Sequence, residues 1–455
     1  MIRIILLILT IFSAGISFIC IGYDTVTSLF FLLFVFLVLS LFYSGNKIAF
    51  FLLIQFLVAF LWCSCSLYYI EYGNFISEQN KFGENVGALI RYIFYMGIFL
   101  LFAYFVISYK TKNIKGKLDV GGFLFFKQIT YLLFFILVIL CFFIGMVYGI
   151  PLFSGVSRFE FYRLIEPLDK VIFMMPISAF MLGVVFSQSN TRYSFYGALV
   201  LILFLILFSD KFSGIYGVLI YFIIGFYLSK NIVNNTSSYG FNKKVLYLYF
   251  PSIMFILISI VSIGYIYLHG ASSSDLMERI LSRALGLQAH VWYGIDFQLW
   301  HSLLLPDSSI FLLESNEPVQ PAGLEYLMYQ VADEKFVDSF REAGIRFTNG
   351  YPAIVLISFG YAYSITILAL LGCILGIFLY YIYQKVRLLQ PLRLIIALIF
   401  YNNILINIFI MGEIYYIYKL LGVVCFIIIL IDVCVCRHKN FRVLGFNKIS
   451  NKLII

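Results

Sequence analysis

The chain has 455 residues, of which 63% are hydrophobic and 12% are charged, and its formal net charge is +9. A mean hydropathy of +1.00 excludes a soluble globular domain. Apolar runs of about 18 or more residues recur along the whole length, each long enough to cross about 30 Å of hydrocarbon as a helix. Because backbone in lipid must satisfy its own hydrogen bonds, and the alternating pattern of a membrane barrel is absent, we predict an all-α polytopic membrane protein.

About twelve predicted spans follow one another in chain order. The first comes after Arg3 and has no clear small-residue cleavage site, so we interpret it as an uncleaved span. The predicted spans are 3–22, 26–43, 48–70, 87–108, 128–150, 170–188, 194–209, 213–229, 245–268, 352–383, 394–411 and 414–433. The seventh and eighth are separated only by residues 209–211, which also fits a re-entrant dip in place of two full spans.

The basic residues predict the direction of these spans. With both termini in the cytoplasm, the cytoplasmic segments contain most of the 31 basic residues and few of the 22 acidic ones. The positive charge is therefore an orientation signal and gives no reason to propose nucleic-acid binding. Charged residues cluster at the outer ends of spans, and this pattern argues against an ion-coupled transporter.

This topology divides the chain into three parts. Residues 1–268 form a bundle of nine spans with a short external loop at 151–169, residues 269–351 form one large external loop, and residues 352–455 contain the last three spans and a basic cytoplasmic tail. The eight cysteines show no zinc spacing, and none lies in the large loop. We therefore expect neither a disulfide framework nor a metal site.

Arginine is more frequent than lysine on the external side, where orientation does not require positive charge. The external arginines are Arg91, Arg158, Arg163, Arg279, Arg283, Arg341 and Arg346. A planar guanidinium grips phosphate or carboxylate with two parallel hydrogen bonds, so these residues are candidates for an anion site. The alternative is that they pair with external carboxylates or extend to lipid headgroups.

A first candidate site lies at the start of the large loop. Asp275 and Glu278 form a capping pattern for a helix. Its charged face contains Arg279, Arg283 and His290. Gly286 is able to end this helix before His290. An amphipathic helix that lies on the outer leaflet would show the same pattern without any catalytic role.

Two further candidates lie next to predicted spans. Apolar residues at 336, 337 and 340 predict a short helix, Asn349-Gly350 is a turn signal, and Pro352 opens the next span, which places Arg346 just above the membrane surface. In "FSDKFSGIYG", Asp210-Lys211 is followed by serine and glycine, which allow a close approach of the backbone.

The chain resembles the Wzy-type polymerases, which polymerise O-antigen or capsule repeat units. The resemblance rests on the Phe/Tyr/Ile-rich spans and on the segments "PLFSGVSRFEFYR", "SDKFSG", "ALGLQAHVW" and "GIRFTNGYPAIVLISFGY". It implies a GT-C-like glycosyltransferase of the bacterial inner membrane that faces the periplasm. The implied reaction transfers a growing glycan from undecaprenyl pyrophosphate to the next lipid-linked repeat. The implied partners are this lipid-linked oligosaccharide, the bilayer and a chain-length regulator protein, with no cofactor and no nucleic acid.

The resemblance also implies roles for single residues, because family members use arginines in two periplasmic loops. The expected pyrophosphate-binding residues are Arg158, Arg163, Lys211, Arg279, Arg283 and Arg346. A sugar hydroxyl needs a general base, for which His290 is the first candidate, followed by Glu160 or Glu342. The expected sugar-binding residues are Trp292, Tyr293 and Trp300. A lone histidine is more often a structural hydrogen-bonding group, and packing is the commoner role for such aromatics.

Two other functions fit the same sequence. An O-antigen ligase uses the same donor but transfers the glycan to lipid A-core. A flippase moves the same lipid-linked sugar across the membrane, although the large loop and the absence of charge in the middle of the spans argue against it.

Overall fold

The computed structural model describes residues 35, 37–71, 73, 83–112, 120–154, 156, 158–189, 191–210, 212–233, 286–312, 321–342 and 346–434. Within these ranges all regular secondary structure is helical and no strand occurs, which confirms the all-α prediction. The predicted spans 3–22 and 245–268, most of 26–43, and the site candidates Lys211, Arg279 and Arg283 lie outside the described residues.

Twelve helices are numbered in chain order. They are α1 Lys47–Glu71, α2 Ala88–Thr111, α3 Val120–Tyr148, α4 Met175–Ser189, α5 Arg192–Leu207, α6 Phe212–Val233, α7 His290–Trp300, α8 Leu324–Val331, α9 Glu334–Glu342, α10 Ala353–Arg387, α11 Pro391–Phe400 and α12 Leu420–Cys434. Short helices at Pro151–Ser154, Arg158–Leu164 and Lys170–Phe173 lie between α3 and α4. Two π-helical segments, Tyr401–Leu405 and Asn407–Met411, extend α11.

Several helices are long and apolar enough to cross a membrane. Within the described ranges there are six such segments, Lys47–Glu71, Ala88–Thr111, Gly122–Ser154, Lys170–Ser189, Ala353–Arg387 and Pro391–Met411. Three shorter apolar helices, Arg192–Leu207, Gly214–Lys230 and Leu420–Cys434, accompany them. Each of these segments overlaps a predicted span.

The structure refines three of the predicted elements. The expected span 170–188 is interrupted at Met174, and the expected span 414–433 begins as a 3-10 helix, Ile414–Tyr418, before α12. Between α5 and α6 the chain turns tightly at residues 208–210, with Ser209 at φ 55°. The ambiguous stretch 194–229 therefore consists of two helices that pack against each other.

Glycines allow two pairs of helices to pack backbone against backbone. Gly372 and Gly376 of α10 lie one turn apart, and a Cβ at either would overlap a backbone carbonyl of α2, that of Phe99 or Ala103. In the same way, Gly183 of α4 and Gly225 of α6 face backbone carbonyls of each other's helix. Because lipid offers no hydrophobic drive for helix association, such close contacts supply the van der Waals energy that holds the bundle.

Replacing Gly372 by alanine is expected to destabilise the protein, whereas the same change at Gly97 should stabilise it slightly. Both residues lie inside helices, where alanine is favoured over glycine by about 0.5–1 kcal/mol. At Gly372 the added Cβ meets the Phe99 carbonyl, while at Gly97 it meets nothing within 4 Å. The thermal unfolding midpoints of the two purified variants should shift in opposite directions, and equal shifts would contradict this packing.

Charged residues fasten the last helix to its neighbours. Asp432 of α12 contacts Lys385, and it also accepts from Arg393 at 2.6 Å and from the Tyr381 hydroxyl at 2.8 Å. Lys385 and Asp432 are buried. Lys385 and Arg393, which the orientation rule assigns to the cytoplasm, therefore also hold α12 against α10 and α11.

The described part of the large loop folds onto the bundle. In α7 nearly every residue is buried, and the Ser66 hydroxyl of α1 donates to the carbonyl oxygen of Gly286 at 2.9 Å. The helix begins only at His290, after a turn that starts at Gly286. The short helix expected around residues 336–340 is confirmed as α9, and Pro352 immediately precedes α10 as expected.

Candidate functional site

Loops from distant parts of the chain meet at one end of the bundle. We call this end, where α1 ends and α2 begins, the loop end; among the described residues it also contains 149–154, 156, 158–174, 208–210, 286–312, 321–342, 346–352 and 412–419. Arg163 Nη2 donates to the carbonyl oxygen of Glu342 at 2.6 Å. This hydrogen bond joins the short loop before α4 to the C-terminus of α9, so the two loops expected to supply arginines are in direct contact.

Arg346 and Glu413 form an ion pair at the loop end. Arg346 Nη1 donates to Glu413 Oε1 at 2.6 Å. The side chain of Arg346 is 49% exposed, whereas that of Glu413 is 5% exposed. The carboxylate is therefore shielded from water, whereas about half of the Arg346 side chain remains accessible to a ligand.

Aromatic and cationic groups surround this pair. Lys419 Nζ lies 3.9 Å from the ring centroid of Tyr416 and 5.1 Å from that of Tyr415. Arg346, Lys419 and Glu413 together have one positive charge in excess. The arrangement suits a ligand with negative charge that can stack or hydrogen-bond against tyrosines.

Burial and charge act in opposite directions on these groups. Burial raises the pKa of the Glu413 carboxyl above its ordinary value, although Arg346 and Lys419 oppose this shift. For Arg346, burial alone disfavours the charged form, but Glu413 outweighs it and the pKa of the guanidinium is raised. Arg346 is therefore a permanent cation at any physiological pH.

A junction of glycines holds the ion pair in place. Gly350 lies so close to Met411 and Gly412 that a Cβ there would overlap the Met411 carbonyl. Gly412 has φ 82° and ends the π-helical extension of α11, where the Glu413 amide donates to the Asn407 carbonyl oxygen at 3.0 Å. The Tyr351 amide also donates to the Ile410 carbonyl oxygen at 3.2 Å. The loop that contains Arg346 is thus fixed directly against the segment that contains Glu413.

A second ion pair, between Arg91 and Asp296, is completely buried. Arg91 Nη2 lies 2.7 Å from Asp296 Oδ2, and the two side chains are 2% and 0% exposed. Asn85 Nδ2 and the Tyr361 hydroxyl donate to the same carboxylate, each at 2.9 Å. The Trp300 ring centroid lies 4.2 Å from the Arg91 guanidinium. Arg91 is therefore not available to an anion, because it pairs with a carboxylate. This pair holds α7 against α2.

His290, the first candidate general base, is buried without an open face. Its Nδ1 donates to the Leu287 carbonyl oxygen at 2.6 Å, and its ring packs edge-on against Phe347 at 4.2 Å. Its Nε2 has no hydrogen-bond partner among the described residues. Burial lowers the pKa of His290 to about 4. The imidazole is neutral at pH 7, and His290 is 0% exposed, with no half-exposed arginine paired to it among the described residues.

The burial of His290 predicts a pH-dependent stability. The unfolded chain takes up a proton near pH 6.5, but the folded chain resists protonation until about pH 4. The free energy of unfolding should therefore fall by on the order of 3 kcal/mol as the pH drops from about 6.5 to about 4. Unfolding midpoints of wild type and His290→Gln across this range should converge at low pH, and parallel pH curves would contradict the prediction.

The three aromatic residues expected to bind sugar serve mainly as packing groups. Trp292 is 0% exposed, and its Nε1 donates to the Ala88 carbonyl oxygen at 3.0 Å. Tyr293 is 5% exposed, and its hydroxyl accepts the Asn85 amide at 2.7 Å. Trp300 is half-buried and lies against Arg91. Trp292 and Tyr293 therefore offer no ring face to a sugar in this structure.

The remaining described candidates belong to the loop end. Arg158 and Glu160 are in the short helix Arg158–Leu164, and Glu160 is exposed. Glu342 is also exposed, and it contacts Arg163 through its main-chain carbonyl. The Tyr162 hydroxyl donates to Asp210 at 3.1 Å, so the turn between α5 and α6 joins the same surface.

Glu413, Lys419 and the two tyrosines between them were not expected from the sequence as site residues. One signal was available, since Glu413 is the only acidic residue between residue 352 and Asp432. An isolated carboxylate between two apolar runs is costly unless it is paired. Its partner, however, lies 67 residues earlier in the chain. Within the described ranges, no group of three or more His, Cys, Asp or Glu residues is placed to hold a metal ion.

One comparison with known proteins gives a match. Residues 317–427 match a family of unknown function (DUF6418). The matched segment contains Arg346, Gly350, Gly412, Glu413 and Lys419. No curated protein and no solved structure matches the chain.

Proposed function

We propose that this protein is a polysaccharide polymerase of the bacterial inner membrane. It would transfer a growing O-antigen or capsular glycan from undecaprenyl pyrophosphate to the next lipid-linked repeat unit. The observation that carries the proposal is the hydrogen bond from Arg163 to the Glu342 carbonyl, because it joins the two arginine-containing loops. The half-exposed guanidinium of Arg346 belongs to the second of these loops.

The proposed chemistry uses groups that the loop end contains. A pyrophosphate leaves readily when the charge that develops on it is stabilised by preorganised donors. Arg346 is preorganised by Glu413, which accepts a hydrogen bond from one of its nitrogens, and about half of the Arg346 side chain is exposed to a diphosphate. Exposed Arg163 lies on the facing loop. No metal is required by this scheme, since guanidinium groups neutralise the leaving group.

The membrane topology belongs to the same proposal. The chain has about twelve spans, both termini lie in the cytoplasm, and the loop end faces the periplasm. The distribution of charge supports this orientation, because the opposite end of the described bundle contains mostly basic residues. Those residues are Lys47, Lys110, Lys112, Arg192, Lys230, Lys385, Arg387 and Arg393.

A reconstitution experiment tests the function. A strain from which the chain is deleted should accumulate lipid-linked single repeats, which are extracted and added to the purified protein in proteoliposomes. A ladder of products that differ by one repeat supports the polymerase. Product that forms only after lipid A-core is added identifies a ligase, and movement of the lipid across the bilayer without new glycosidic bonds identifies a flippase.

A further inference from the structure

The proposed transfer needs a group that accepts the proton of the attacking sugar hydroxyl. His290, Glu160 and Glu342 were the candidates from the sequence. His290 is enclosed by the loop and packs on Phe347. Glu160 and Glu342 are exposed to water. A carboxylate that is shielded from water and lies next to the phosphate-binding arginine would be better placed.

Glu413 has this position. Its side chain is 5% exposed, and its Oε1 accepts from Arg346 Nη1 at 2.6 Å. Among the described residues, the charged or titratable groups that face it are Arg346 from the loop before α10, and Tyr415, Tyr416 and Lys419 from its own segment. A diphosphate bound by the exposed part of Arg346 would therefore lie next to this carboxylate.

We propose that Glu413 is the general base of the glycosyl transfer, an inference that rests on the proposed function. The acceptor hydroxyl gives its proton to a carboxylate oxygen of Glu413 as its own oxygen bonds to the anomeric carbon of the donor glycan. The bond from that carbon to the pyrophosphate oxygen breaks, and its electron pair remains on the pyrophosphate, next to Arg346. Atoms and charge balance without a metal or another reactant.

The Arg346–Glu413 pair also explains how the base becomes active only with substrate present. Without ligand, the guanidinium neutralises the carboxylate and weakens it as a base. A bound diphosphate draws the guanidinium charge toward itself, and the buried carboxylate then gains affinity for a proton. Burial already raises the pKa of Glu413, which favours this step.

Three variants test the proposal in the proteoliposome assay with extracted lipid-linked repeats. Glu413→Gln retains the shape and hydrogen bonding of the side chain but cannot accept the proton. Glu413→Asp retains a carboxylate on a shorter stem. Glu325→Gln is the matched control, because Glu325 also pairs with an arginine at 2.6 Å, that of Arg341, and the proposed mechanism does not use this pair.

We expect Glu413→Gln to lower kcat by about 10²–10⁴ while KM for the lipid-linked repeat changes by less than about threefold. The wild-type rate should fall on acidification as Glu413 becomes protonated, and this acid limb should be absent from the residual rate of Glu413→Gln. Glu413→Asp should retain part of the rate together with an acid limb, and Glu325→Gln should behave as wild type.

Other outcomes overturn the proposal. A Glu413→Gln variant with wild-type kcat, or one that changes KM alone with an unaltered pH profile, assigns Glu413 a structural role. If Glu413→Gln does not fold, wild type is compared with Glu413→Asp instead. Equal rates and equal pH profiles for these two proteins would exclude Glu413 as the base. Absence of any ladder from wild type refutes the proposed function itself, and is thereby distinguished from failure at Glu413.

Discussion

Replacement of Arg346 by lysine is expected to reduce chain extension by about 10²–10³-fold. The proposed leaving group is a diphosphate, and loss of one preorganised donor to a developing oxyanion typically costs this much in kcat. Lysine retains the charge that Glu413 needs, so the fold should survive. It does not reproduce the planar fork that contacts carboxylate and phosphate at the same time. The rate of ladder formation in proteoliposomes is the measurement.

The control for Arg346 is Arg341→Lys. Arg341 pairs with Glu325 through a hydrogen bond of the same length, but no part of the proposed mechanism uses it. Its replacement should leave the ladder unchanged. If both lysine variants retain wild-type rates, the phosphate-binding role of Arg346 is refuted, and the pair with Glu413 is only a structural contact.

Replacement of Asp296 by asparagine should destabilise the protein by about 3–5 kcal/mol. The change leaves the buried guanidinium of Arg91 without its counter-ion, and removal of one member of a buried pair has this cost. The Tyr361 and Asn85 hydrogen bonds to the carboxylate also weaken. We expect α7 to detach from α2, and activity to be lost with it. The thermal unfolding midpoint in detergent, compared with wild type, measures the effect.

A double variant separates the ion pair from the rest of the network. Arg91→Met combined with Asp296→Leu removes both charges, so it should be clearly more stable than Asp296→Asn alone. Lys170→Met serves as the surface control. Lys170 also pairs with an aspartate, Asp169, but its side chain is 70% exposed, and such pairs contribute about 0–1 kcal/mol. If the double variant is as unstable as Asp296→Asn alone, the unpaired buried charge is not the main cause of the lost stability.

Several features of the protein were predictable because they depend on local sequence. Long apolar runs predicted helices of membrane-spanning length, and α1, α2, α3 and α10 are found where the runs occur. The spacing of Phe336, Val337 and Phe340 predicted α9 correctly. Helix period, helix boundaries and mean hydropathy all involve residues within a few turns of one another, so neighbouring residues suffice to predict them.

The candidate site was predictable only in outline. External arginines in the sequence predicted an anion site that includes Arg163 and Arg346, whereas Glu413 was not predicted and Trp292 was expected to bind sugar. The sequence shows only that residue 292 is a tryptophan, which suits either sugar binding or packing. Its contact with Ala88 in the folded chain identifies it as a packing residue. His290 similarly has a favourable position in the sequence but is enclosed by Phe347.

By itself the sequence determined that this is a helical membrane protein with charge sorted to its two ends, because the bilayer acts on each segment independently. The tertiary structure alone decided which charges are buried and which remain exposed. Arg91 and Arg346 are equivalent in the sequence, but one pairs with Asp296, 205 residues away, and the other with Glu413, 67 residues away. The desolvation of each pair depends on all the segments packed around it, and that is a property of the folded chain.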